Sequence, residues 1–359
     1  MADKLFEIQN LKTYFNIEGK WAKAVDGVSF DIYQGEVLGI VGESGSGKSV
    51  TSLSLMKLIP EPPGRIMEGS KVIYKGDDAR KVAEQIKYDM AAFDRDGGIN
   101  IIALDYEQMY KIRGSKIAMI FQEPMTSLNP VFRIGMQIAE VVMAHEGLNE
   151  KDALARAVEM LRLVGIPDPE KRIHDYPHQF SGGMRQRVMI AIALACNPAM
   201  LIADEPTTAL DVTIQAQILE LMLTLKQKRK EAAILLITHD LAVVAELCHR
   251  VIVMYGGKIQ EIAEIRELFK HPMHPYTVGL MGSIPRPEDE SKRHEPLQAI
   301  PGNVPSIMNL PVGCKFCTRC EKKIEKCDTV EPPLIEMKPN HFVRCHVVQP
   351  EMEGGRRYE

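Results

Sequence analysis

Residues 181–187 read Ser181-Gly182-Gly183-Met184-Arg185-Gln186-Arg187, and an apolar helical pattern runs on from them to Cys196. A serine and small residues at a helix start leave first-turn N–H groups free, and such groups attract phosphate. Upstream lies Gly42-Glu43-Ser44-Gly45-Ser46-Gly47-Lys48-Ser49, which fits G-x-x-x-x-G-K-[ST] at every fixed position. Downstream, an apolar strand pattern over Met200–Ala203 ends in Asp204-Glu205. The loop, the small-residue helix start and the acidic strand end occur in one order on one chain.

The phosphate loop carries the chemistry most directly. Its glycines let backbone N–H groups curl round an anion, Lys48 reaches the β- and γ-phosphates, and Ser49 offers a hydroxyl to Mg²⁺. Glu36–Val41 is a short apolar run stopping at Gly42, as a buried parallel strand feeding a glycine loop would. A helix is predicted over Val50–Leu58, so its N-terminus faces the anion. Gly42, Ser44, Gly45, Ser46, Gly47, Lys48, Ser49 and Val50 are therefore the candidate nucleotide-binding residues. A carboxylate at a strand end beside such a loop can hold Mg²⁺, which is the expectation for Asp204. Glu205 is the candidate base, or water-orienting group, for attack on the γ-phosphate.

The rest of the chain supports an α/β domain. Strand patterns are predicted at Leu5–Phe15, Ala24–Tyr33, Lys116–Phe121, Met200–Ala203 and Ala232–Thr238. Helical ones fall at Arg133–His145, Lys151–Val164, Gly183–Cys196 and Thr213–Lys226. Their alternation argues for a mainly parallel core sheet. Val251–Tyr255 and Lys258–Ile262 read as a hairpin through Gly256-Gly257. Between about 77 and 110 a helix over Ala79–Ala92, a turn at Asp94–Gly98 and a strand at Ile99–Leu104 are expected to form a solvated insertion. Beyond Arg266 prolines crowd in and periodicity fades. The expected division is an ATP-binding domain over 1–265 and a loop-rich extension over 266–359 held in shape by its cysteines.

The 359 residues are 45% hydrophobic and 26% charged, enough for a large core plus an appendage. A net charge of −4 gives no electrostatic case for nucleic acid or for an anionic membrane surface. The first residues, Met1-Ala2-Asp3-Lys4, lack the pattern of a signal peptide. The longest apolar runs fall short of the roughly 18–20 residues of a spanning helix, so any membrane role needs partner subunits. Of seven cysteines, Cys196 and Cys248 sit in apolar surroundings and read as core. Cys314, Cys317, Cys320, Cys327 and Cys345 crowd the tail and read as metal or iron–sulfur ligands rather than disulfides.

Taken together these motifs resemble the ATP-binding cassette (ABC) family over about Leu5 to Ile262. Ser181-Gly182-Gly183-Met184-Arg185-Gln186 matches its signature, which in this family closes over the nucleotide of a second subunit. Gln122, in Phe121-Gln122-Glu123-Pro124, matches the glutamine that senses Mg²⁺ and the γ-phosphate. Asp211, in Ala209-Leu210-Asp211, matches the D-loop, and His239 the switch histidine that contacts the γ-phosphate. Phe15, with Tyr14 as the second choice, matches the aromatic that stacks on adenine. The resemblance implies a P-loop NTPase cassette with an antiparallel β region and a helical lobe at about 123–190. It also implies that Ser181, Gly182 and Gly183 serve the partner's ATP.

Val41–Ser49, Gln122–Pro130, His274-Pro275-Tyr276-Thr277 and Pro301-Gly302-Asn303-Val304-Pro305 are similar to stretches of the oligopeptide and dipeptide importer ATPases. That subgroup implies a motor on the cytoplasmic face of the cell membrane. Its partners would be a second related ATPase (a heterodimer, with a homodimer as the other option), two permease subunits and an external binding protein, with no nucleic acid. Nickel, antimicrobial peptides and sugar oligomers are the alternative cargoes. The subgroup's tail implies a [4Fe–4S] cluster on Cys314, Cys320, Cys327 and Cys345. Zinc is the rival, with His341 and His346 nearby. Cys317 departs from the pattern and makes Cys314-x2-Cys317-x2-Cys320, a spacing also similar to part of a ferredoxin ligand set. The rival function is a soluble ABC protein of DNA repair or translation. Such proteins carry two cassettes, long coiled coils or a basic surface, and none of these is present.

Overall fold

The computed structural model describes residues 3–122, 127–206, 212–228, 231–283 and 300–349. Asp211, the D-loop candidate, lies outside them. The chain forms two compact units that interleave in sequence. One comprises Met1–Phe6, Ile32–Glu36 and Tyr74–Ile237; the other comprises Glu7–Asp31, Val37–Ile73 and Thr238–Glu359.

The first unit has a parallel core of three strands, Ile117–Ile120, Met200–Asp204 and Ala233–Ile237. Ile117 lies beside Met200, and Met200 beside Ala233. Every residue of these strands is buried, which is why they read as unbroken apolar runs. Three helices, Ile134–Glu146, Glu150–Leu163 and Gly182–Leu194, pack together as the helical lobe. Their buried residues recur at helical spacing, as in Ile134, Ile138 and Val142 or Ala153, Ala157 and Leu161. Gly147 ends the first in the left-handed region (φ 68°), and the Asn149 side chain caps the second by accepting from Asp152 N–H.

The insertion departs from its sequence reading. The helix expected over Ala79–Ala92 breaks in two, Ala79–Gln85 and Met90–Asp96, because Lys87 turns left-handed (φ 55°) and Asp89 caps the second piece. The expected strand shrinks to Ile99–Asn100. The segment is not merely solvated: Val82, Ala83, Ile99, Ile101, Leu104, Met109 and Ile112 are all buried. Asp78 anchors its start by accepting hydrogen bonds from Tyr74 and Lys116.

In the second unit Val37–Val41 runs parallel to Arg250–Tyr255, which turns through Gly256-Gly257 into antiparallel Lys258–Glu264. Leu38, Ile40, Ile252 and Val253 fill its core. The greater part of the long strands Lys4–Ile17 and Lys20–Tyr33, residues 7–17 and 20–31, also belongs to this unit, where Gly64–Ile66 pairs antiparallel with the first and Phe15 lies opposite Gly64. The described part of the extension forms strands despite its prolines. His341–Val343 pairs with Lys258–Glu264, and Ile335–Lys338 pairs with His341–Val343, so the tail adds two strands to this unit's sheet.

Candidate nucleotide-binding site

Val41 leads into the phosphate loop, and the helix Lys48–Leu55 leads out of it. The glycines are there for backbone reasons. Gly42, Gly45 and Gly47 have φ of 151°, 77° and 101°, which side chains rarely adopt. A Cβ on Gly42 would meet Met254 O at 2.2 Å, and one on Gly47 would meet Ala24 O at 2.4 Å. Lys48 is buried, and its Nζ donates to Gly42 O (2.7 Å) and Glu43 O (3.1 Å), so the lysine is held within the loop. The Ser46 hydroxyl is buried with no hydrogen-bond partner among the described residues. A buried polar atom left that way costs free energy, and here it lines a loop shaped for an anion. Ser44 and Gly45 are exposed, and Ser49 and Val50 are half-buried in the helix's first turn. The loop therefore fits a nucleoside triphosphate's phosphates.

Two other expected nucleotide contacts belong to the same unit. Phe15 is half-buried. The Tyr14 hydroxyl is committed elsewhere: it donates to Asp26 Oδ1 at 2.5 Å, and burial with this bond pushes its pKa up. That leaves Phe15 as the freer aromatic face. His239 is exposed. It sits between Thr238, whose hydroxyl accepts from Asp240 N–H, and Asp240, whose carboxylate caps the helix Leu241–Leu247.

The remaining chemical groups lie in the first unit. Asp204 is buried at the strand end. Glu205 follows with φ 46°, an uncommon conformation for a non-glycine residue and the kind of strain found at functional sites. Its N–H donates to Ile237 O at 2.8 Å, and its Oε2 accepts from Gln122 Nε2 at 3.0 Å. The structure thus brings together Gln122 and Glu205, two of the side chains that sequence assigned to the γ-phosphate. Ser181 caps Gly182–Leu194 by accepting from Met184 N–H at 3.3 Å. Ser181 and Gly182 are exposed, so the signature's first turn faces outward. Gln186, which sequence left without a role, is buried and donates to Pro206 O at 2.7 Å, tying the signature helix to the residue after Glu205.

The tail cysteines are all free thiols. Cys314, Cys317, Cys327 and Cys345 are buried and Cys320 is half-buried. Burial, and then the charges of Cys327, Cys345 and Cys317, push the Cys314 thiol up to about 12. Cys320 feels Cys345, Cys327 and Cys317, and its pKa is also raised, mainly by burial. Cys317 differs: its pKa is raised by burial and then by the charge of Asp328. No group of three or more His, Cys, Asp or Glu side chains among the described residues could hold a single metal ion. His341 Nε2 is hydrogen-bonded to Glu261 (2.7 Å) while its Nδ1 is buried without a hydrogen-bond partner among the described residues, and His346 Nε2 is hydrogen-bonded to Val330 O (2.9 Å). Cys248 is buried and Cys196 half-buried, with the Cys196 thiol pushed up to about 11 by burial.

The chain is similar to known proteins along most of its length. The profile of the ABC transporter family matches residues 25–208, and that of the oligopeptide/dipeptide transporter C-terminal region matches 260–327. The oligopeptide transport ATP-binding protein AppD of Bacillus subtilis is 52% identical over 347 residues, covering 97% of this chain and 98% of its own. The dipeptide transport ATP-binding protein DppD of Bacillus subtilis is 44% identical over 343 residues, covering 96% and 94%. Among solved structures, the ATP-binding cassette MJ0796, captured as a dimer after hydrolysis with ADP and Pi, superposes with a TM-score of 0.59. It is 26% identical and covers 73% of this chain and 99% of that one. With its phosphate loop, signature and C-terminal region all accounted for, this chain belongs to the ABC transporter family, in the oligopeptide/dipeptide branch.

Proposed function

We propose that the chain is the ATP-hydrolysing motor of an importer that takes up oligopeptides or dipeptides. The observation that carries this reading is the phosphate loop, with its buried Lys48 and unpartnered Ser46 hydroxyl. Gly42, Ser44, Gly45, Ser46, Gly47, Lys48, Ser49 and Val50 hold the triphosphate, and Phe15 stacks on adenine. Ser49, Asp204 and Gln122 would hold Mg²⁺, which would supply positive charge to offset that of the phosphates. Glu205 orients the attacking water and takes its proton, steadied by the Gln122 hydrogen bond. Lys48 and His239 stabilise charge on the transferring group. Ser181, Gly182 and Gly183 serve the nucleotide held by a second, related ATPase chain, and Asp211 serves the same interface.

No helix among the described residues is long and apolar enough to cross a membrane, which fits a subunit that reaches the membrane through partners. Two permease subunits, docked on the helical lobe at the cytoplasmic face, convert dimer closure into transport of peptide delivered by an external binding protein. The cassette ends near residue 265, and 266–359 acts as its extension. Cys314, Cys320, Cys327 and Cys345 ligate a [4Fe–4S] cluster. The charge of Asp328 beside Cys317 supports leaving that cysteine out of the ligand set. The test is ATP hydrolysis by the complex reconstituted in vesicles with its binding protein. Stimulation by short peptides is expected. Stimulation by nickel or oligosaccharides instead would overturn the cargo, and a chain that never joins membrane subunits would overturn the motor role.

A further inference from the structure

The extension reaches the phosphate loop through Arg319. This arginine lies between Cys317 and Cys320 and is almost wholly buried. Its Nη1 donates to Glu43 Oε2 at 2.6 Å and its Nη2 to Glu43 Oε1 at 3.1 Å, a two-point pair with the second residue of the loop. Its other donors are also used: Nε to Pro301 O, Nη2 to Ile300 O and Nη1 to Tyr255 OH. An aromatic cluster stands beside it, with Tyr255 and Tyr276 rings 4.7 Å apart and Phe316 5.3 Å from each. From that cluster the Tyr276 hydroxyl accepts a hydrogen bond from Glu43 N–H at 2.8 Å. Glu43 is thus held at both its carboxylate and its backbone by residues outside the cassette motifs, while its carbonyl takes Lys48 Nζ. Neither Glu43 nor Arg319 occupies a fixed position of a nucleotide-binding motif.

We infer that Arg319 and Tyr276 are positioning residues for the phosphate loop, so that the C-terminal extension sets this chain's affinity for ATP. The inference rests on the reading that the loop binds ATP. A guanidinium fixed by two carbonyls and a ring hydroxyl cannot follow Glu43, so Glu43 is held to it. The loop's N–H groups are then preorganised, and less ordering is left for the nucleotide to accomplish.

The test is ATP binding to the full chain, measured directly with labelled Mg-ATP, beside KM and kcat in the assembled complex. Arg319→Ala and Glu43→Ala are each expected to weaken ATP binding about tenfold, and the double variant no more than either alone, as for residues that act as a pair. KM for ATP rises in step while kcat stays near its original value. Arg319→Lys keeps the charge but not the fork, and restores only part of the affinity. Tyr276→Phe removes one oxygen and leaves the ring packing, so it reads the same effect where the alanine variants fold poorly. Unchanged affinity in Tyr276→Phe and Arg319→Lys, or additive losses in the double variant, would overturn the inference. Wild-type chain that binds no ATP would instead overturn the reading of the loop itself.

Discussion

Lys48 shows how one residue ties backbone shape to chemistry. Its ammonium bridges two loop carbonyls, so the loop is curled by the same group that would face the γ-phosphate. Lys48→Ala is therefore expected to weaken Mg-ATP binding by more than about a hundredfold, since charged hydrogen bonds to a phosphate are among the strongest. Labelled-ATP binding checks this, and normal affinity would remove Lys48 from the site. The fixed positions of the loop were legible in sequence because each has one physical reason, a positive φ or a close backbone approach. Glu43 was not, because its partner Arg319 lies 276 residues away and nothing local marks either residue. The conformation of Glu205 was equally hidden: sequence placed it after a strand, but only the fold forces it left-handed.

At the scale of elements, the signature helix makes a separable prediction. Its first turn faces outward, so Ser181→Arg is expected to leave the chain's own nucleotide bound and to block hydrolysis at the partner's site. Nucleotide trapping in mixed complexes distinguishes the two sites. A defect confined to the site containing the mutant chain's own Lys48 would contradict the trans arrangement. The tail cysteines make another. Protein purified without oxygen is expected to be brown, with iron and sulfide in a ratio of about one. Ser at Cys314, Cys320, Cys327 or Cys345 bleaches it, whereas Cys317→Ser leaves the colour. Zinc without iron on metal analysis would reject the cluster. Apolar residues at helical spacing made Ile134–Glu146 and Glu150–Leu163 legible, and unbroken apolar runs marked the parallel strands. The tail strands, three and four residues long, carry no periodic signal, and they exist because Lys258–Glu264 offers them a free edge. The insertion's helix was overrun because a single left-handed lysine, Lys87, breaks it.

For the whole molecule, stability against acid depends on a histidine away from the nucleotide. His274 is fully buried, accepts from Tyr276 N–H, and burial lowers its pKa from 6.5 to about 4. The unfolded chain therefore binds a proton at pH values where the folded chain does not. Its contribution is intact above about 6.5 and is lost as pH falls toward 4, of order 3 kcal/mol over the window. His274→Asn keeps a helix-capping acceptor without the titration, and is expected to flatten the fall in unfolding free energy across that range. An unchanged slope in denaturant melts would assign the acid sensitivity elsewhere. These behaviours all serve one central claim, that ATP is bound by this chain's phosphate loop and cleaved with Glu205 as the water-orienting group. Single-turnover hydrolysis by Glu205→Gln in the assembled complex tests it most directly. The account predicts ATP bound with near-normal affinity and phosphate release slowed at least about a hundredfold, the usual scale of a general base; release near the unmodified rate would contradict it.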